Sequence, residues 1–250
     1  MITRFFAAFA FLVFAAGASW QPLHGAELPE ATGAAPPAYG DLLQKYATPN
    51  GIRYAAWHAN PDDLQLLKTV TDFYATTSPP EDREAALAWH LNAYNAGILA
   101  EILKKYPTKG PLDGEPHFFE KDRIVVSGKL MSFNHLEQKL IRPAFNEPRI
   151  HFALNCASES CPPLFPKPFT VDSLEADLER LTRAFIDDNP QGVDSSGRRP
   201  KISKLFDWYA GDFGGKKNLL VYVNRYRRTP IPVAEPFDFL EYSWKLNSAP

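Results

Sequence analysis

The only two cysteines of this chain lie five positions apart, in Arg149-Ile-His151-Phe-Ala-Leu-Asn155-Cys156-Ala-Ser-Glu-Ser-Cys161-Pro162-Pro163. Three chemistries are open to such a pair. The first is a disulfide: two thiols in an oxidising compartment can join across a serine-rich turn, provided their α-carbons come within about 4.4–6.8 Å. So small a loop stabilises only modestly, because the closure term grows with loop length. The second is a nucleophile, which needs a thiolate of lowered pKa and a nearby base, usually a histidine held by an amide or carboxylate. The third is a metal site, because His135, His151, Cys156 and Cys161 are all acceptable zinc ligands by type.

The spacing weighs differently on each. Arg149 to Cys156 reads as an extended, half-buried strand, and five residues of strand separate His151 from Cys156 by about 16 Å. The odd offset also turns the two side chains to opposite faces. His135, on a helix preceding that strand and able to pack back across it, is therefore the expected base. Asn92, Asn95 or Glu137 would orient it or hold a substrate carbonyl. Cys156 is preferred to Cys161 as nucleophile because Pro162 and Pro163 constrain the backbone after the second cysteine. Acyl transfer through a thioester is the reaction such a set suits. The same separation weakens the metal set, which also lacks any short Cys-x-x-Cys or His-x-x-x-His pairing, so no metal or other cofactor is expected. His151, Asn155, Cys161, Glu137 and Trp208 are assigned binding or orienting roles. Asp207, Trp208, Tyr209 and Asp212 place aromatics beside carboxylates, a combination suited to small polar or sugar-like ligands.

The elements that must carry these residues show in the periodicity. Tyr39 to Tyr46 reads as a short helix and Ile52 to Trp57 as a strand. Asn60-Pro61-Asp62-Asp63 opens a helix running to about Ala75. Leu87, Leu91, Tyr94, Ile98 and Ile102 recur at helical spacing through Glu81 to Tyr106. Asn92 and Asn95 border that stripe, where amides bond to neighbouring backbone or to substrate. Arg123 to Leu130 reads as a hairpin around Ser127-Gly128, and Ser132 caps a helix ending before Pro143. Thr170 opens another, with Leu174, Leu178, Leu181 and Phe185 facing inward. Asp188 to Pro200 is loop. Short helices over 205–213 and 219–226 and an edge strand within 237–246 complete an α+β domain of helices on a small mixed or antiparallel sheet.

Composition and the first residues set the context. Hydrophobic residues make up 45% of the 250, enough for a sizeable core, and 23 prolines demand many fixed turns. A net charge of -2 offers no field to attract nucleic acid. Arg4, the apolar run Phe5 to Ala16 and the small residues ending at His24-Gly25-Ala26 describe a secretory signal peptide cut after Ala26. The run is too short to span a membrane, and no stable span is expected after cleavage. The expected layout is a signal peptide at 1–26, a flexible lead-in and short helix at 27–48, and one α+β domain at 49–250. The expected location is periplasmic or secreted, with a small molecule, an envelope polymer or a peptide as ligand.

Several stretches taken together resemble a known family. They are Trp89-His-Leu-Asn92-Ala-Tyr94-Asn95-Ala96, His135-Leu-Glu137 with Ile141-Arg142-Pro143, the run from His151 to Pro163, and Asp207-Trp208-Tyr209. In this order they resemble the domain of unknown function 547, over roughly Arg53 to Leu246. His90 stands where that pattern usually has a hydrophobic residue. The family lacks an agreed activity, so the resemblance implies a fold and a set of clustered positions and leaves the chemistry open. Two readings remain: a cysteine-dependent acyl (amide or ester) hydrolase or transferase centred on Cys156, and a non-catalytic binding domain with a Cys156–Cys161 disulfide.

Overall fold

The computed structural model describes residues 28–250. The expected signal peptide and the start of the lead-in fall outside the described residues. Helix α1 (Pro37–Tyr46) buries Tyr39, Leu42, Leu43 and Tyr46, one face of a 3.6-residue period. A tight hairpin, β1 (Ala47–Thr48) with β2 (Gly51–Ile52), leads into α2 (Tyr54–His58). The strand expected over 52–57 is thus mostly helix. Tyr54 and Trp57 must both be buried, and three residues apart they share a helical face but not a strand face. Trp57 stacks on Tyr46 with ring centroids 4.5 Å apart. In α3 (Pro61–Thr76) the Asn60 side chain accepts from the Asp63 N–H at 3.2 Å, as the capping residues require.

Helix α4 (Arg83–Lys104) is the spine. Asp82 caps it by accepting from the N–H groups of Glu84 and Ala85. Besides the expected stripe, Ala88, Trp89, Leu99 and Leu103 are buried, so the helix is enclosed on nearly all sides. Gly97 makes that possible at one point: a Cβ there would lie 3.1 Å from the Phe133 ring and 3.3 Å from Ile124. The hairpin β3 (Ile124–Val126) and β4 (Lys129–Met131) turns at Ser127 and Gly128, both with positive φ, as a two-residue turn matching strand twist needs.

The next helix is irregular. It begins as α5 (Phe133–His135), widens to a π-helix over Leu136–Ile141 and tightens again as α6 (Arg142–Phe145). It therefore runs through Pro143 rather than ending before it. The π-type bond from the Arg142 N–H to the Glu137 carbonyl resets the ladder just ahead of the proline. Pro148–Phe152 is a 3₁₀ turn, which corrects the extended strand expected across 149–156. Proline at its first turn and the buried trio Ile150, His151 and Phe152 favour the compact turn over an alternating strand.

The 3₁₀ turn Val171–Ser173 leads into α7 (Leu174–Arg183), extended as a π-turn to Asp188, with Leu174, Leu178 and Phe185 inward as expected. The stretch 188–200, read as loop, contains strand β5 (Val193–Asp194). This pairs antiparallel with β6 (Lys201–Ile202), which pairs parallel with β7 (Asp238–Phe239). Between β6 and β7 lie α8 (Lys204–Trp208) and α9 (Leu219–Asn224). The architecture is a compact α+β arrangement with small sheets. Its buried apolar residues fall into two clusters, one around α1, α3 and α4, the other around Phe152, Phe185, Phe206 and Phe213. Leu181 packs against both. No described helix is long and apolar enough to cross a membrane.

Candidate functional site

The cysteine loop is tied down by amides before any reactive group is considered. From α4, Asn95 donates to the Ala153 carbonyl at 2.9 Å and accepts from the Asn155 N–H at 2.9 Å. Asn155 donates to the Pro162 carbonyl at 2.8 Å and accepts from the Ala157 N–H at 3.0 Å. Asn92 does similar work one turn away, holding both the N–H and the carbonyl of Phe169 and the carbonyl of Ala34. Each of these buried amides is engaged with backbone, so Asn92 and Asn95 position segments of chain instead of facing a substrate.

Ala157 takes a left-handed conformation, φ +62°, uncommon for a residue with a Cβ. The reversal turns Ser158 back toward Cys156. The Ser158 N–H and the Tyr242 hydroxyl both donate to the Cys156 sulfur, the latter at 3.1 Å. Ser158 Oγ lies 3.1 Å from the sulfur and donates to Tyr242 Oη at 2.9 Å. Tyr242 arrives on a C-terminal segment that pairs with the cysteine loop through Glu159 N–H to Lys245 O at 2.8 Å and Ser243 N–H to Ser160 Oγ at 2.9 Å. Burial pushes the Cys156 thiol up, but hydrogen bonds from Cys161, Ser158 and Tyr242 outweigh it and bring the thiol down to about 7. Cys161 moves the other way: burial and the neighbouring Cys156 thiolate hold it protonated. Both cysteines are free thiols, and Cys161 Sγ accepts from the Cys156 N–H at 2.9 Å.

Cys156 opens into a cavity of about 360 Å³ lined also by Tyr94, Glu137, Arg142, His151, Tyr209 and Tyr242. His151 is buried, with Nε2 2.7 Å from Asp212 Oδ2 and its ring stacked on Tyr209 at 3.8 Å between centroids. Arg142 grips the same carboxylate with two hydrogen bonds of 2.7 Å. His151 first, and then Arg142 against the opposing effect of burial, hold the Asp212 carboxyl well below the usual carboxylate range. Glu137 is buried, and burial raises its pKa against the pull of His151, Tyr209 and Arg142. The π-helical turn explains how Glu137 and Arg142 reach one cavity: five residues apart in an α-helix they would diverge, and the wider turn brings them onto one face.

The structure thus brings Cys156, His151, Glu137 and Cys161 to one cavity, with Asn95 and Asn155 behind the loop and Trp208 at the rim. It does not bring His135 there. That side chain is exposed and outside the cavity lining, because Phe133, Leu136 and Glu137 take the inward face of the helix. The separation of His151 from Cys156 expected of an extended strand does not hold, because Pro148–Phe152 winds into a 3₁₀ turn. No hydrogen bond joins His151 to Cys156 among the described residues. Tyr242 has no sequence signal as a site residue, Arg142 has only its place in a stretch that carries the family resemblance, and Asp212 has only its aromatic neighbours. Among the described residues no group of three or more His, Cys, Asp or Glu side chains is placed to hold a metal ion.

Comparison with known protein families gives a match over the central part of the chain. Residues 80–186 match the family described as Protein of unknown function, DUF547. The matched region supplies Glu137, Arg142, His151, Cys156 and Cys161, while Trp208, Tyr209, Asp212 and Tyr242 lie beyond it. Neither the curated proteins nor the solved structures compared with the chain give a match.

Proposed function

We propose that this protein is an exported cysteine-dependent acyl hydrolase or transferase, with Cys156 as nucleophile, His151 as general acid and base, and Asp212 as the group that orients His151. One observation carries the reading: a thiol brought down to about 7 shares a cavity with a histidine paired to a carboxylate. The donors around Cys156 ionise it without help from a base, so His151 is needed for the later proton movements. With Nε2 committed to Asp212, Nδ1 is the nitrogen left to exchange a proton with substrate. In the first step Sγ bonds to the acyl carbon, and the departing amine or alcohol takes a proton from His151. In the second, water or another acceptor gives a proton to His151, attacks the thioester and regenerates the thiolate. Tyr242 Oη and the Ser158 N–H, both already at Sγ, are placed to stabilise developing charge on the acyl oxygen. Export rests on the charge and apolar pattern of the first 26 residues.

A second reading keeps the pair as a disulfide that stiffens a binding loop, favoured by the closeness of Cys161 Sγ to the Cys156 backbone. Thiol counting and alkylation of protein purified without reductant separate the two. The enzyme reading expects Cys156 to react with iodoacetamide with a midpoint near pH 7, and expects Cys156→Ser and the volume-conserving His151→Gln to abolish turnover of aryl acyl esters while the fold is retained. A mass two hydrogens lighter and no reactive thiol would put the binding domain ahead.

A further inference from the structure

The active cavity has one aromatic wall that the proposed chemistry leaves unused. Tyr242 touches the Cys156 sulfur through its hydroxyl, and its ring packs against Trp208 and Trp244, both at 4.7 Å between centroids. Trp208 and Trp244 stack at 5.9 Å with planes 23° apart, and Phe119 extends the row from Trp244 at 5.9 Å. The wall therefore runs outward from the nucleophile to Trp208, which is 45% exposed. The same cavity is lined by groups of the opposite kind: the exposed amide of Asn134, and the amide of Gln138, which donates to Glu137 and accepts from Arg142. The charges in the cavity are already matched, Arg142 by Asp212, and Glu137 is displaced toward its neutral form.

A group lying between an acyl carbon on Cys156 and the rim must therefore offer a flat apolar face to the wall, hydrogen-bonding edges to the amides, and no net charge. A pyranose ring has that shape: its axial C–H groups cover an aromatic face and its hydroxyls point outward from the edge. An aryl group would satisfy the wall but bring no hydrogen-bonding edge to the Asn134 amide, and an anionic group would find the Arg142 cation already held by Asp212. Resting on the acyl-transfer reading above, we infer that the substrate is a neutral saccharide bearing an acyl group, with the sugar on the Trp208–Tyr242–Trp244 wall and the acyl carbon at Cys156. The acyl carbon–oxygen or carbon–nitrogen bond to the sugar breaks as the carbon–sulfur bond forms. His151 protonates the departing sugar oxygen or nitrogen, and water then releases the acid.

Binding can be read without turnover by working in Cys156→Ala. The probes are acetylated xylotetraose and N-acetylchitotetraose, with an N-acetylated neutral tetrapeptide for comparison, followed by tryptophan emission and calorimetry. The expected result is saturable binding of at least one oligosaccharide and none of the peptide. Trp208→Ala should weaken that binding about three- to tenfold, the span an aromatic stacking contact is worth, and Trp208→Phe should restore most of it. Trp208 is exposed enough that its loss empties no core. Failure of both saccharides to bind, peptide binding in their place, or indifference to Trp208→Ala would overturn the saccharide assignment. Turnover of simple aryl esters by the wild-type protein would meanwhile leave the cysteine-hydrolase reading standing. Saccharide binding by a protein whose Cys156 neither alkylates nor turns over substrate would fail that reading, and with it the inference of an acylated substrate.

Discussion

Replacing Tyr242 by Phe removes one oxygen and little else. The ring keeps its contacts with Trp208 and Trp244, so the fold should hold, but the Cys156 sulfur loses a donor at 3.1 Å and Ser158 loses its acceptor at 2.9 Å. A hydrogen bond to a charged group contributes about 1.5–3 kcal/mol, and one pH unit of pKa corresponds to about 1.36 kcal/mol. The thiol should therefore rise by about one to two pH units, from about 7 to about 8 or 9. The sign follows from the charge: a donor stabilises the thiolate, so its removal favours the protonated form and postpones ionisation to higher pH. The assay is the rate of iodoacetamide alkylation at Cys156 between pH 5 and 10, with the labelled peptide identified by mass so that Cys161 is not counted. Turnover of an aryl ester at pH 7 should fall in parallel and recover in part at pH 9. An alkylation midpoint that stays near 7, or moves down, would refute the claim that these hydroxyls set the reactivity of Cys156.

Asp212→Asn leaves an amide that can still hydrogen-bond His151 but cannot stabilise its charged form or fix its tautomer. Steady-state kinetics should show kcat lower by about a hundredfold or more, the range of general acid–base catalysis, with the Cys156 alkylation midpoint little changed. Asn95→Ala strips the Ala153 carbonyl and the Asn155 N–H of their partner, each loss costing about 1–3 kcal/mol, so denaturant melts should show a large loss of stability and labelling a thiol less reactive at pH 7. Asn92→Ala should cost comparable stability and leave the thiol unchanged, since its partners are Phe169 and Ala34. One equivalent of hydrogen peroxide should convert Cys156 to a sulfenic acid, which Cys161 then displaces to form a disulfide and water. Intact mass should fall by two hydrogens and activity should vanish until dithiothreitol is added, whereas Cys161→Ala should retain the sulfenic acid.

The parts of the fold legible in the sequence are those governed by local chemistry. Asn60 caps the helix that Asn60-Pro61 is expected to open, Ser127-Gly128 turns its hairpin, and the apolar stripes of α4 and α7 face inward. Cys156 stands out in the sequence because cysteine is rare here and followed by a polar turn. The histidine that shares its cavity is not the one the spacing favours, and for a specific reason. An apolar run such as Ile150-His151-Phe152 suits either an alternating strand or a buried 3₁₀ turn, and only tertiary burial chooses between them. That choice decides whether His151 lies far from Cys156 or shares its cavity. The π-helical turn at Leu136–Ile141 has no sequence signature that period-counting can read, yet it aims Glu137 and Arg142. Tyr242 lay beyond reach altogether, since nothing local ties residue 242 to residue 156.

The pairing of the C-terminal segment with the cysteine loop also has a consequence for timing. Tyr242 meets Cys156 across 86 residues, and the contact that joins Ser243 to Ser160 spans 83. Contacts so distant in sequence close late, and a chain made from its N-terminus has the DUF547 region complete well before residue 242 emerges. Until then Cys156 lacks the tyrosine donor and should behave closer to an ordinary thiol, with a pKa of about 8.5. Docking of the segment around Tyr242 thus lowers the thiol, and a still-unfolded molecule would carry a less acidic one.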